Sequence, residues 1–188
     1  AGVSPNEDSY FGTSVFQHAK NRTLWLMLLM LSATVSGEIL AHYEDAMAAM
    51  PILITFIPML MGTSGNSGSQ SSTMVIRGLA VGEIRFKDFF KVLFKELRIA
   101  LLVGTLLAVV NGIRVYLMYD QDLMLAVSIG VTMIGIVCMA KCVGCVLPLL
   151  AKKIGLDPAL MAAPLISTIM DTCTILLYFA IITSIYRM

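Results

Sequence analysis

Long apolar runs alternate along this chain with short polar interruptions, and each run exceeds what a strand or an ordinary core helix needs. The first extends from about Thr23 to His42 and opens with Trp25, an aromatic suited to a membrane interface. The second begins near Ala46 and meets no charged side chain before Arg77. The third covers about Leu93 to Met118, the fourth about Leu123 to Ala151, and the fifth about Asp157 to Tyr186. A membrane-crossing helix needs roughly 20 predominantly apolar residues. The pattern therefore predicts an all-α integral membrane fold with five transmembrane helices.

Two of these spans are irregular. The second contains Pro51 and Pro58, then a charge-free but polar stretch from Gly62 to Thr73 rich in glycine and serine. Irregular or polar backbone at membrane depth survives only where protein buries it or water reaches it, so this stretch predicts a cavity or a tightly packed neighbour. The fifth span opens on Asp157 as N-cap with Pro158 in the first turn. It is interrupted by Pro164 and charged only at Asp171. Broken or kinked second and fifth helices are expected.

The interruptions set an orientation. Residues 1–22 form a polar lead-in with Lys20 and Arg22, in which Ser9 to Lys20 suits either a short interfacial helix with Tyr10, Phe11, Val15 and Phe16 toward lipid, or a frayed end. Residues 23–188 form the five-helix domain. Basic residues concentrate in the lead-in, the Arg77–Arg98 connection and Lys152-Lys153, alternating with acidic turns at Glu44-Asp45 and Asp120-Gln121-Asp122. Cytoplasmic loops carry the excess of Lys and Arg, so the N-terminus is expected in the cytoplasm and the C-terminus outside, in a multi-pass inner-membrane protein. Arg77 and Glu83 read as a surface pair, and Gly155 as a helix stop.

Composition strengthens the membrane reading: 58% of the 188 residues are hydrophobic and 13% charged, against roughly a quarter charged in soluble domains. The formal net charge of +1, with no basic groove interleaved with aromatics, gives no expectation of a nucleic-acid partner. No cleavable signal peptide is legible in the first residues, and no internal repeat or low-complexity tract appears. Cys138, Cys142, Cys145 and Cys173 all fall in apolar segments rather than a disulfide framework.

Asp171 is the most conspicuous chemical group. At about 1.5 Å of rise per residue it lies roughly 20 Å beyond Asp157, deep in hydrocarbon, where an aspartate costs at least about 2.5 kcal/mol and usually faces a bundle interior or a wet path. The alternatives are a protonated Asp171 bonded to a neighbouring helix, or a pair with Lys141. Gly62, Gly65 and Gly68 recur every third residue on roughly one helical face, which suits either close helix packing or the wall of a pore. Asn66, Ser69, Gln70 and Thr73 add neutral oxygens. Mg²⁺ takes oxygen ligands and sheds its water reluctantly, so a wet path of amide and hydroxyl oxygens with one carboxylate per chain suits the hydrated ion. Cys138, Cys142 and Cys145 share a helical face that could bind a soft metal or simply pack. Lys141, between them, would repel cations and is expected to point away from any pore. Glu38 suits a vestibule ligand or an interface carboxylate.

The run Gly65-Asn66-Ser67-Gly68-Ser69-Gln70, followed by Arg77-Gly78-Leu79-Ala80-Val81-Gly82-Glu83-Ile84, resembles the signature of the MgtE family of magnesium channels, and Asp157-Pro158-Ala159 with Pro164 and Asp171 resembles its last helix. The resemblance spans essentially the whole chain in motif order. It implies a homodimer whose bundle has one pore on the two-fold axis, built from the second and fifth helices of both chains. Asp171 would be the central Mg²⁺-attracting carboxylate, Asp157 would stand at the cytoplasmic mouth, and Asn66 would line the pore with Gly65, Gly68, Ser69, Gln70, Thr73, Ala163, Ser167 and Thr168. Mn²⁺, Co²⁺ and Ni²⁺ are further candidate ions. Family members also carry a cytoplasmic N-terminal domain and paired CBS regulatory domains, neither of which these residues contain. Thr174 departs from the family pattern, which has a glycine there.

Three other functions compete. A secondary carrier exchanging Mg²⁺ for Na⁺ or H⁺ also uses broken helices and a midplane carboxylate, but no inverted repeat is apparent. Gly62-Thr63-Ser64-Gly65 fits the Gly-x-Ser-Gly pattern of intramembrane serine proteases, which need a histidine near the serine. His18 and His42 fall elsewhere, so no enzyme is expected. A purely structural membrane subunit accounts for the glycines and leaves Asp171 unexplained.

Overall fold

A computed structural model of the chain describes residues 11–120, 122–161 and 163–187. They form six helices: α1 (Val15–His42), α2 (Glu44–Ala49), α3 (Leu53–Ala80), α4 (Phe89–Met118), α5 (Leu123–Lys153) and α6 (Ala163–Tyr186). Short 3₁₀ turns at Phe86–Asp88 and Pro158–Met161 precede α4 and α6, and no strand occurs among the described residues. Four helical segments are long and apolar enough to cross a bilayer: Val15–His42, Phe86–Met118, Leu123–Lys153 and Pro164–Tyr186. The remaining long helix, α3, carries the glycines and serines that lower its hydropathy.

Helix α5 is the centre of the bundle, with α4 and α3 packed along it and α6 closing against α3. Phe56 and Leu60 of α3, Ile129, Ile136 and Val137 of α5, and Tyr178, Phe179 and Ile182 of α6 form the buried core. Serine and glycine are weak helix formers, so α3 depends on this packing rather than on propensity. Its tightest contact is with α5. A Cβ on Gly144 would collide with the Gly68 carbonyl oxygen, so the two backbones meet there with no room for a side chain. Helix α1 packs mainly on α6 and is otherwise exposed; its buried Ser36 shares a 2.6 Å hydrogen bond with Thr172.

Three local expectations need correction. The first helix begins at Val15, capped by the Ser14 hydroxyl accepting from the Gln17 N–H at 3.2 Å, and runs unbroken past Arg22, so lead-in and first span share one helix. Of the proposed interfacial segment, Ser9 and Tyr10 lie outside the described residues, while Phe11, Val15 and Phe16 are exposed.

The last helix begins at Ala163, not at Asp157. Asp157 Oδ1 accepts from the Ala159 N–H at 2.9 Å and caps only the 3₁₀ turn. A continuous helix would drive the Pro164 ring into the carbonyl one turn earlier, whereas Pro164 in the first turn of a new helix costs nothing.

Arg77 and Glu83 form no ion pair; the one among the described residues joins Lys91 to Asp88 at 3.8 Å. The chain turns at Gly82 and seats Ile84 against Gly78, which leaves Glu83 beside a cleft between α3 and α4.

Gly155 does stop α5. At φ +78° it places the Leu156 N–H on Ala151 O at 2.9 Å and its own N–H on Lys152 O at 3.3 Å, the paired bonds of a Schellman cap.

Candidate functional site

The glycine-rich stretch of α3 is a regular helix with two unlike faces. Ser64, Gly65, Ser67, Gly68, Ser71 and Ser72 are buried, whereas Asn66, Gln70 and Thr73 are exposed and Ser69 is half-buried. The buried face packs on α6 and α5. A Cβ on Gly65 would stand 3.1 Å from Ser167 Oγ, and one on Gly68 would stand 2.7 Å from Ile166 Cγ2 and 3.2 Å from the Ala140 oxygen. Gly65 and Gly68 thus act by bringing backbones together. Gly62 has open space beside it.

The outward face is polar. Asn66, Ser69, Gln70 and Thr73, with Met74, border an open groove of about 510 Å³. Their positions follow helical spacing, so they form one stripe. None of the four side chains has a hydrogen-bond partner among the described residues, while other hydroxyls on the same helix do: Thr63 donates to Met59 O at 2.8 Å and Ser64 to Met61 O at 3.0 Å. Against lipid such a stripe would be costly, because an unpaired amide or hydroxyl in hydrocarbon loses several kcal/mol of hydration.

Helix α6 packs on the buried face of α3. Ser167 is half-buried against Gly65, and Thr168 donates to Pro164 O at 2.9 Å. Ala163 starts the helix, and its side-chain surroundings lie outside the described residues. Asp171 follows Ser167 by one turn on the same face, is half-buried, and makes no hydrogen bond or ion pair among the described residues, so the alternative pairing with Lys141 does not form. Asp157 is exposed at the far end of the preceding turn. The structure therefore sets Ser167 against Gly65 where two antiparallel helices pack, with Asp171 one turn further along α6 and Asp157 at the far end of the preceding turn.

Three contacts that tie α3 to its neighbours, two to α6 and one to α4, have weak sequence signals. Thr174, at the position that departs from the glycine pattern, is buried and donates to Ser64 Oγ at 2.6 Å. Close packing of α6 on α3 is kept, with a hydrogen bond where a glycine would give bare contact. Tyr178 donates to Leu53 O at 3.0 Å, the partner a buried tyrosine hydroxyl needs. Ser71 donates to Glu96 across from α4. Cys145 is buried, Cys138 and Cys142 are half-buried, and no cluster able to hold a metal occurs among the described residues. Glu38 is exposed on α1. Lys141 is buried at 5% exposure and faces the cleft between α3 and α4.

Comparison with known proteins adds an independent line. Residues 57–181 match the MgtE family profile, described as a divalent cation transporter. A magnesium transporter MgtE of Thermus thermophilus is 36% identical over 160 residues, covering 85% of this chain and 35% of that protein. One from Bacillus subtilis is 32% identical over 182 residues, covering 97% of this chain and 40% of that protein. A third, from Enterococcus faecalis, is 29% identical over 190 residues, covering 100% and 40% respectively. The chain spans little more than a third of the length of these relatives.

Proposed function

Because the chain belongs to the MgtE family of divalent cation transporters, we propose that it is the membrane-embedded part of a magnesium channel, in which two copies enclose one pore on their two-fold axis. Helices α1, α3, α4, α5 and α6 make five crossings, with the N-terminus and the basic connections in the cytoplasm and the C-terminus outside. Helix α3 crosses despite its polarity because its stripe faces water rather than lipid. Two stripes meeting across the axis, with α6 of each copy beside them, form a wet path.

The observation that carries this reading is the row of unpartnered polar side chains, Asn66, Ser69, Gln70 and Thr73, on the open face of a helix whose other face is packed. Their oxygens accept hydrogen bonds from the water shell of Mg²⁺, an ion that keeps several of its waters. Asp171 supplies the negative charge that concentrates the cation where the path is narrowest, and the Asp171 of the second copy doubles it. Asp157 gathers ions at the cytoplasmic mouth. Gly65 and Gly68 let α3 approach α6 and α5 closely enough to hold the wall rigid. Regulation by Mg²⁺ belongs to the N-terminal and CBS domains that the family resemblance implies. Mn²⁺, Co²⁺ and Ni²⁺ satisfy the same oxygen chemistry.

The test is Mg²⁺ entry into proteoliposomes loaded with a Mg²⁺-sensitive dye. Asp171→Asn keeps size and removes the charge, so flux should fall about tenfold or more, the equivalent of about 1.4 kcal/mol of lost ion stabilisation, while cross-linking still traps a dimer. Unchanged flux would remove Asp171 from the path. Unitary currents in a planar bilayer separate a channel from a Mg²⁺/Na⁺ or Mg²⁺/H⁺ exchanger, which gives none.

A further inference from the structure

Helices α3 and α4 both pack on α5 and leave a cleft of about 700 Å³ between them. Six charged residues border it: Lys91, Lys95 and Lys141, against Glu83, Asp88 and Glu96. Lys91 and Asp88 satisfy each other at the mouth, at 3.8 Å with the lysine side chain 86% exposed. Glu96 accepts one hydrogen bond from Ser71. Lys141 is the outlier: 5% exposed, facing the cleft, with neither a hydrogen bond nor an ion pair among the described residues. Lys141 is otherwise enclosed by protein, so any counter-charge for its ammonium has to come from within the cleft it lines.

The charges left over define what would complete it. Lys141 and Lys95 call for an anionic group, Glu96 and Glu83 for a cationic donor, and the two sets balance. A divalent cation would meet the ammonium groups, and a simple anion such as inorganic phosphate would meet the carboxylates. A neutral apolar molecule would leave Lys141 unpaired. A zwitterion carrying a phosphodiester and a primary ammonium satisfies both sets with charge-assisted hydrogen bonds. The remaining wall is apolar, including Val75, Val92 and Ile99, and Phe90 and Phe94 stand exposed on α4. An occupant with a hydrocarbon chain, entering sideways from the bilayer, matches that lining. We propose that this cleft is a binding site for a phosphoethanolamine-headed phospholipid, its phosphate on Lys141 and Lys95, its ammonium on Glu96 and Glu83, and an acyl chain along the apolar wall. The site stands whether or not α3 borders an ion path.

The experiment is lipid competition on the purified chain in mild detergent, read by native mass spectrometry. Phosphatidylethanolamine, phosphatidylcholine and phosphatidylglycerol of identical acyl chains are supplied in equal amounts. Wild type should retain about tenfold more phosphatidylethanolamine than phosphatidylcholine, whose quaternary ammonium donates no hydrogen bond to a carboxylate, a ratio one charge-assisted bond produces. It should also exceed phosphatidylglycerol, which brings no cation to Glu96. Glu96→Gln should collapse the preference over phosphatidylcholine, and Lys141→Met, which loses a contact to the phosphate all three lipids share, should lower retention of all three. Equal retention of the three lipids, preference for phosphatidylglycerol, or unchanged preference in Glu96→Gln would each overturn the assignment. The wild-type competition needs no variant, so poor folding of either substitution leaves the test intact.

Discussion

Gly144→Ala should destabilise the protein although alanine is the better helix former. In a helix interior the exchange gains up to about 1 kcal/mol from propensity. Here the new Cβ meets the Gly68 carbonyl oxygen of α3 at a separation no real pair of atoms tolerates. That oxygen belongs to backbone and cannot rotate away, so α3 and α5 must separate. Overpacking of this kind costs about 1–3 kcal/mol, and the rigidity of the obstacle puts this site in the upper half of the range, for a net loss of about 1–2 kcal/mol. In a chain of this size each kcal/mol moves the midpoint by about 2–4 °C, so thermal unfolding followed by fluorescence-detected gel filtration should show a drop of several degrees. Gly62→Ala is the matched control: nothing lies within 4 Å of its added Cβ, and its midpoint should hold or rise. A Gly144→Ala variant as stable as wild type would refute the claim that backbone contact at Gly68 sets the α3–α5 crossing.

Other consequences can be tested alongside. Thr174→Val keeps shape but removes the donor to buried Ser64, which should cost about 1 kcal/mol or more, and Thr174→Ser should restore the thermal midpoint. Gly155→Ala forces a Cβ onto a residue at φ +78°; a loss of about 1 kcal/mol is expected, seen as a lower midpoint. Gln70→Leu removes an amide from the exposed stripe of α3, and Mg²⁺ flux in proteoliposomes should fall while thermal stability stays within error of wild type.

Much of the helical order was legible because hydrocarbon imposes a harsh rule. Every backbone group must bond within its own helix, so apolar runs bounded by charge declare themselves. The third and fourth predicted spans and the stop at Gly155 follow from that rule and from the left-handed conformation glycine accepts. The start of α6 was misread because Asp157-Pro158 is a strong capping signal, and the stronger constraint, the Pro164 ring, lies several residues downstream.

What the residues settled unaided is the helical membrane character, the approximate extent of the apolar segments, and the singularity of Asp171 as the one carboxylate inside the last of them. Which side of the glycine-rich helix is packed and which is open was settled only by assembly. Its residues are nearly all small and polar, so no contrast of hydrophobicity tells Ser64 from Asn66, and the choice falls to whichever neighbouring backbone comes close enough to use a glycine. The same holds for Lys141 and Glu96. They lie on different helices, and only the packing of α3 and α4 on α5 brings this lysine and carboxylate to one cleft.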